Sequence, residues 1–287
     1  MSDYLRSLTQ HEQINFLLTN RIPRTLLTRF MGWFSKIESP LLTKISLYLW
    51  QQLAGPINLD ECKNSEFNSL HECFIRELKK NARAIDKRNN IIISPCDAVI
   101  GSFGKINDNT LYQAKGFPYD LHDLIPDKQL IKKYKNGLFI TLRLKSTMYH
   151  RFHAPVDCHI NNINYITGDT WNVNPIALKR IEKLYCKNER AVLDLDLNRE
   201  DSYICIVAVA AILVASMKFN CLNKNLDLKY QGPNSIPCSK SYLKGEEIGY
   251  FQHGSTIILF ASSNYRFTEN LNSGDNVKMG EQLLIEV

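Results

Sequence analysis

Tyr203-Ile-Cys-Ile-Val-Ala-Val-Ala-Ala-Ile-Leu-Val-Ala-Ser-Met217 is the stretch on which the fold turns. Its uninterrupted apolar part, residues 203–215, is 13 residues long, whereas a helix crossing a bilayer needs about 20. Ile204, Ile206, Val207 and Val209 are β-branched, so the run reads as a strand buried on both faces. Outward from it lie further short β-type runs, at residues 91–94, 98–106, 138–144, 158–166, 191–195, 248–251, 256–261 and 282–287. Gly, Asn, Asp and Pro separate them. Runs of this length and spacing predict a β-rich, sandwich- or barrel-like body.

Before residue 89 the periodicity is helical. Thr9 and Glu12 are spaced as a capping box, in which hydroxyl and carboxylate satisfy free N–H groups at a helix start. After Pro23, residues Leu26, Leu27, Phe30, Met31 and Phe34 form an i, i+3/i+4 stripe opposed by Arg24, Arg29 and Lys36. After Pro40 the stripe resumes through Leu41, Leu42, Ile45, Leu49 and Leu53. Such helices either pack on their own domain or lie in a membrane interface, and spacing leaves both open. The expected fold class is therefore α+β, with N-terminal amphipathic helices over residues 1–88 followed by a β-rich, sandwich- or barrel-like body over residues 89–287.

The 287 residues carry 35 basic against 29 acidic side chains, too mild an excess for a dedicated nucleic-acid binder. Residues 1–88 hold thirteen basic against nine acidic, which places much of the excess in the helical part. No basic n-region with an apolar h-region opens the chain, so no secretory signal is expected. Eight cysteines at 62, 73, 96, 158, 186, 205, 221 and 238 contain no C-x-x-C; they read as free thiols in a reducing compartment, and no metal site is expected.

Nucleotide-binding glycine loops, H-E-x-x-H and G-x-S-x-G are absent. What remains is polar residues in β surroundings. His150 and His153 lie three apart in Met148-Tyr-His-Arg-Phe-His-Ala-Pro155, where an extended chain points them to opposite faces. Asp97 reads as a turn carboxylate. Gly254-Ser255 stands between two apolar segments and puts a hydroxyl one residue from a glycine carbonyl, though a β-bulge reads the same way.

Together these segments resemble the pyruvoyl-dependent phosphatidylserine decarboxylase family of bacterial type, over nearly the whole chain. Gly249-Tyr-Phe-Gln-His-Gly-Ser-Thr-Ile-Ile-Leu-Phe260 resembles its cleavage segment, Tyr149-His-Arg-Phe-His-Ala-Pro155 its Y-H-R-x-H-x-P element, and Ser94-Pro-Cys-Asp97 its S/A-P-x-D element. Residues 67–78, 113–119, 168–175 and 187–190 add support in the family's order. The resemblance implies self-cleavage. Ser255 would attack the Gly254 carbonyl with His153 as base and Asp97 orienting it; elimination of the ester and hydrolysis of the dehydroalanine would then release ammonia. A covalent pyruvoyl group at residue 255 is the implied cofactor, and chains 1–254 and 255–287 would form a heterodimer that dimerises further. The implied reaction is decarboxylation of phosphatidylserine to phosphatidylethanolamine through a Schiff base, with His150 handling the proton. The implied location is peripheral, on an anionic surface at the cytoplasmic face of the cell membrane, with no nucleic acid as partner.

Departures are His253 for the usual Leu, Ala98 for Gly, small Ala208 and Ala215 for Gly, and Lys145-Ser-Thr-Met148 for an L-S-P-x-D stretch. His253 adds a titrating group beside the scissile bond. Two other readings remain: a non-catalytic membrane-surface or carrier-like β module, weakly suggested by residues 277–284, and a pyruvoyl decarboxylase of another amine.

Overall fold

The computed structural model describes residues 12–21, 23–114, 117–213, 216–227, 229–252 and 255–287. Strands Ile204–Ala210 and Ser255–Ala261 each bury all seven residues, because they lie side by side inside an eight-stranded antiparallel sheet. Across that sheet the order is Ser235–Tyr242, Cys158–Ile166, Arg190–Leu195, Ile204–Ala210, Ser255–Ala261, Leu138–Leu144, Ala98–Lys105 and Asn276–Val277.

Alternation along the two central strands feeds two cores. Ile206, Ala208, Ile257 and Leu259 face one, and Val207, Val209, Ile258 and Phe260 face the other. A four-stranded sheet covers the first face, built from Leu226–Asp227, Ser216–Phe219, Glu247–Phe251 and Arg151–His153. It contributes Phe152, Met217, Phe219 and Phe251. Short helices at Leu121–Leu124, Lys128–Lys132, Pro175–Leu178 and Leu184–Lys187 cover the second face. Each large apolar side chain so buried contributes about 2–3 kcal/mol.

Three expectations are corrected. The apolar run around residue 210 is two elements, for the chain leaves the large sheet after Ala210 and Ser216–Phe219 joins the small one. Met217 and Phe219 of the second piece are buried like the whole of the first, so hydrophobicity carries no mark of the break. The body is mixed α/β and mostly strands, but no barrel closes: the edge strands Ser235–Tyr242 and Asn276–Val277 pair only inward. Pro237 and the register shift after it blunt one edge, and the other is two residues long. Cys221 and Cys238 form a disulfide, so the free-thiol reading fails for that pair while six cysteines stay free.

The N-terminal part holds helices Glu12–Asn20, Arg24–Phe34 and Pro40–Ala54; Thr9 of the expected capping box lies outside the described residues. Ser39 caps the third helix by accepting from the Leu42 N–H, with Pro40 at its first turn. Within the second and third helices the buried residues are Thr28 and Thr43. Thr28 Oγ1 accepts from the Leu213 N–H at 3.1 Å, and Thr43 Oγ1 donates to the Asn68 carbonyl at 2.9 Å. Arg24 adds an ion pair to Asp169 at 2.6 Å and lies 3.6 Å above the Trp171 ring. Polar contacts thus fasten these helices, while Leu26, Phe30, Trp33, Leu41 and Tyr48 stay exposed. Among the described residues no helix is long and apolar enough to cross a membrane.

Candidate active site

Ser255 opens the central strand, registered on Leu144 on one side and Ala210 on the other. It is fully buried, and among the described residues its Oγ has no hydrogen-bond partner. A buried hydroxyl without a partner costs about 1–3 kcal/mol, which folded proteins seldom accept without a reason. His253 and Gly254 lie outside the described residues.

His153 sits on the short strand that pairs with Glu247–Phe251. Its Nδ1 lies 2.9 Å from the Gly245 carbonyl and its Nε2 3.0 Å from the Tyr149 hydroxyl. A carbonyl only accepts, so the ring proton of the neutral imidazole belongs on Nδ1, leaving the Nε2 lone pair to accept from Tyr149. Burial lowers the His153 pKa, opposed by the Gly245 carbonyl and by the charges of Glu247 and Asp97. The ring is held as a neutral base.

Asp97 reaches this neighbourhood through the backbone, because the His153 N–H donates to the Pro95 carbonyl at 2.7 Å. Its carboxylate, however, accepts Arg83 Nε at 2.9 Å, Arg83 Nη2 at 2.5 Å and the Met279 N–H at 2.9 Å. Among the described residues no hydrogen bond joins Asp97 to His153, or either of them to Ser255. The strong bidentate pair with Arg83 claims Asp97 first.

His150 occupies a different environment. The chain turns before it, with the Met148 N–H on the Lys145 carbonyl at 2.9 Å, and the His150 carbonyl accepts from Phe251 at 3.0 Å. Its ring meets Phe74 edge-on and is completely buried. Burial, then the Arg76 charge, push its pKa down to about 3; the Met148 backbone opposes this slightly, though neither ring nitrogen makes a hydrogen bond of good geometry. An acid titrating near neutrality is therefore not what this packing provides. His150 is neutral here.

A cavity of about 390 Å³ opens at Ser255, lined also by Trp50, Arg143, Lys145, Asn172 and Leu213. Sequence reading passed over Arg143 as a binding residue, although a lone Arg within the apolar run 138–144 was a signal. It also missed Arg83 and Tyr149 as the partners of Asp97 and His153, for which spacing held no cue.

Among the described residues, then, a buried serine without a hydrogen-bond partner stands beside a cavity that Asp97, His150 and His153 do not line. Residues 70–285 match the family model for phosphatidylserine decarboxylase. The chain is 34% identical over 277 residues to the phosphatidylserine decarboxylase proenzyme of Haemophilus influenzae, covering 91% of this chain and 92% of that one. The proenzyme of Vibrio parahaemolyticus is 34% identical over 270 residues, covering 90% and 94%. That of Vibrio cholerae is 32% identical over 271 residues, covering 91% and 94%. This chain belongs to the phosphatidylserine decarboxylase family.

Proposed function

We propose that this chain is a self-processing decarboxylase that converts phosphatidylserine to phosphatidylethanolamine and CO2, using a pyruvoyl group made from Ser255. The observation that carries the reading is the buried Ser255 Oγ, unpartnered among the described residues, on a residue that lines a cavity and follows Gly254 in a family whose relatives are named proenzymes. A hydroxyl free of competing bonds suits a nucleophile. His153 is the base for maturation, its Nε2 lone pair oriented by the Nδ1 bond to Gly245. Asp97 acts on it through charge rather than by a direct bond. The pyruvoyl carbonyl supplies the electron sink for loss of CO2. His150 manages the proton at the substrate α-carbon, its charged form becoming accessible when the substrate carboxylate enters and opposes desolvation.

After cleavage, strand Ser255–Ala261 remains clasped between Leu138–Leu144 and Ile204–Ala210, which holds the 1–254 and 255–287 chains together as a heterodimer, free to dimerise further. The region 1–88 docks the enzyme peripherally on an anionic membrane, at the cytoplasmic face of the cell membrane. Its support is the outward apolar face of helices Arg24–Phe34 and Pro40–Ala54, which bury threonine instead.

Intact mass of the purified protein tests the reading. Two chains are expected, the smaller beginning with a pyruvoyl group. A single 287-residue chain with unmodified Ser255 sinks it. Ser255→Ala should leave one chain, His153→Ala should block cleavage, and His150→Ala should cleave but decarboxylate poorly. Identical behaviour of the two histidine variants overturns this division of roles.

A further inference from the structure

The Ser255 cavity carries two cations that the maturation chemistry does not use. Ser255 is registered on Leu144, so Arg143 and Lys145 are the residues immediately before and after its cross-strand partner. Thr256 is the residue opposite Arg143, so the pleat turns the Arg143 side chain to the face opposite that of Ser255, and the two come together only at the strand end. There Arg143, Lys145 and Ser255 line one cavity. Arg143 is half-buried within an apolar strand, where a guanidinium normally finds a carboxylate. Among the described residues neither Arg143 nor Lys145 has an ion-pair partner, and no acidic side chain lines the cavity. An unpaired cation held partly out of water favours an anion.

We propose that Arg143, assisted by Lys145, binds the phosphodiester of the aminophospholipid headgroup and so sets which amines reach residue 255. This rests on the decarboxylase reading above. The phosphodiester is the fitting anion, because its charge is unchanged during reaction. The substrate carboxylate loses its charge as CO2 departs, so a cation fixed on it would stabilise the ground state more than the transition state. Arg presents a planar fork that matches phosphate oxygens. The cavity wall points to a lipid rather than to free phosphate: Trp50 and Ala54 come from helix Pro40–Ala54, whose Leu49 and Leu53 are exposed. A headgroup in the cavity leaves its tails beside that apolar face.

The test uses the cleaved two-chain enzyme and two tail-less amines, glycerophosphoserine and L-serine, each followed by CO2 release and by borohydride trapping on the small chain. The wild type should prefer glycerophosphoserine. Arg143→Ala should lower the ratio of kcat/KM for the two amines by about 10- to 100-fold, the loss of one or two charge-assisted hydrogen bonds. Arg143→Lys should recover part of it. Inorganic phosphate should compete with glycerophosphoserine in the wild type and lose that effect in Arg143→Ala. An unchanged ratio in an active variant overturns the proposal alone. Phosphate that alters turnover without competing also overturns it, marking a free-phosphate effector site. A wild type that traps neither amine defeats the decarboxylase reading as well.

Discussion

Glu189 offers a measurement of how strongly the core beside the site resists charge. Its backbone carbonyl accepts from Ala210 at 2.9 Å, and Ala210 is registered on Ser255, so Glu189 lies two strands from the serine. The side chain is fully buried; Oε1 accepts from the Tyr165 hydroxyl, and Oε2 has no partner. Burial raises its pKa from 4.5 to about 7, with the Tyr165 bond opposing and the Asp227 charge adding to the rise. In the unfolded chain Glu189 ionises above pH 4.5, whereas in the folded protein it holds its proton until about 7. The unfolded state therefore binds fewer protons across that window, and stability falls as pH rises through it. At 1.4 kcal/mol per pKa unit the loss is about 3 kcal/mol, complete above pH 7. Glu189→Gln keeps an acceptor for Tyr165 and cannot ionise. Urea unfolding of Ser255→Ala, with and without Glu189→Gln, measures the difference on a single uncleaved chain. The two proteins should be nearly equal near pH 4.5, and the Gln variant should lead by about 3 kcal/mol at pH 8. A difference that stays constant across this range refutes the argument, because every other titrating group is shared.

Further outcomes follow from the same packing. His150 is neutral when folded and its pKa lies near 3, so the unfolded state gains a proton first as pH falls below 6.5, and stability declines from there towards 3. His150→Phe should flatten that acid limb in a circular-dichroism titration, whose full extent is about 5 kcal/mol. A Cβ at Gly249 would overlap the Lys218 carbonyl of the paired strand. Gly249→Ala should therefore cost about 2 kcal/mol or more in thermal unfolding, with an unchanged melting temperature as the contrary result. Replacing Leu26, Trp33 and Leu49 by Ser should abolish sedimentation with phosphatidylglycerol vesicles and leave the unfolding midpoint nearly unchanged. A large drop in that midpoint instead would mean that these side chains pack against the protein.

Many strand positions from Ile91 onward were legible because burial on both faces or on one leaves a period in the residues themselves, whereas the three-residue strands Arg151–His153 and Tyr265–Phe267 and the edge strand Ser235–Tyr242 left too little pattern to be read. Leu138–Leu144 and Cys158–Ile166 match the ranges read from pattern. The pattern could not show where residues 203–217 break, since Met217 and Phe219 are buried in the small sheet as Ile204–Ala210 are in the large one. The N-terminal helices were legible as helices, but the side they expose was not. Thr28 and Thr43 face inward because of partners at Leu213 and Asn68, far away in sequence.

The site divides in the same way. Asp97, His150, His153, Gly254 and Ser255 were named from order and residue type, through resemblance to a family whose chemistry needs those groups. Sequence by itself determined the family and the strand Ile204–Ala210 buried on both faces, since these depend on local pattern and on motifs read in order. Only the tertiary structure decided that Arg83 takes the Asp97 carboxylate, that Tyr149 and Gly245 set the His153 proton, and that Arg143 stands without a counter-charge next to Ser255. Hydrogen bonds and desolvation act between groups that folding brings together, and no spacing along the chain records them.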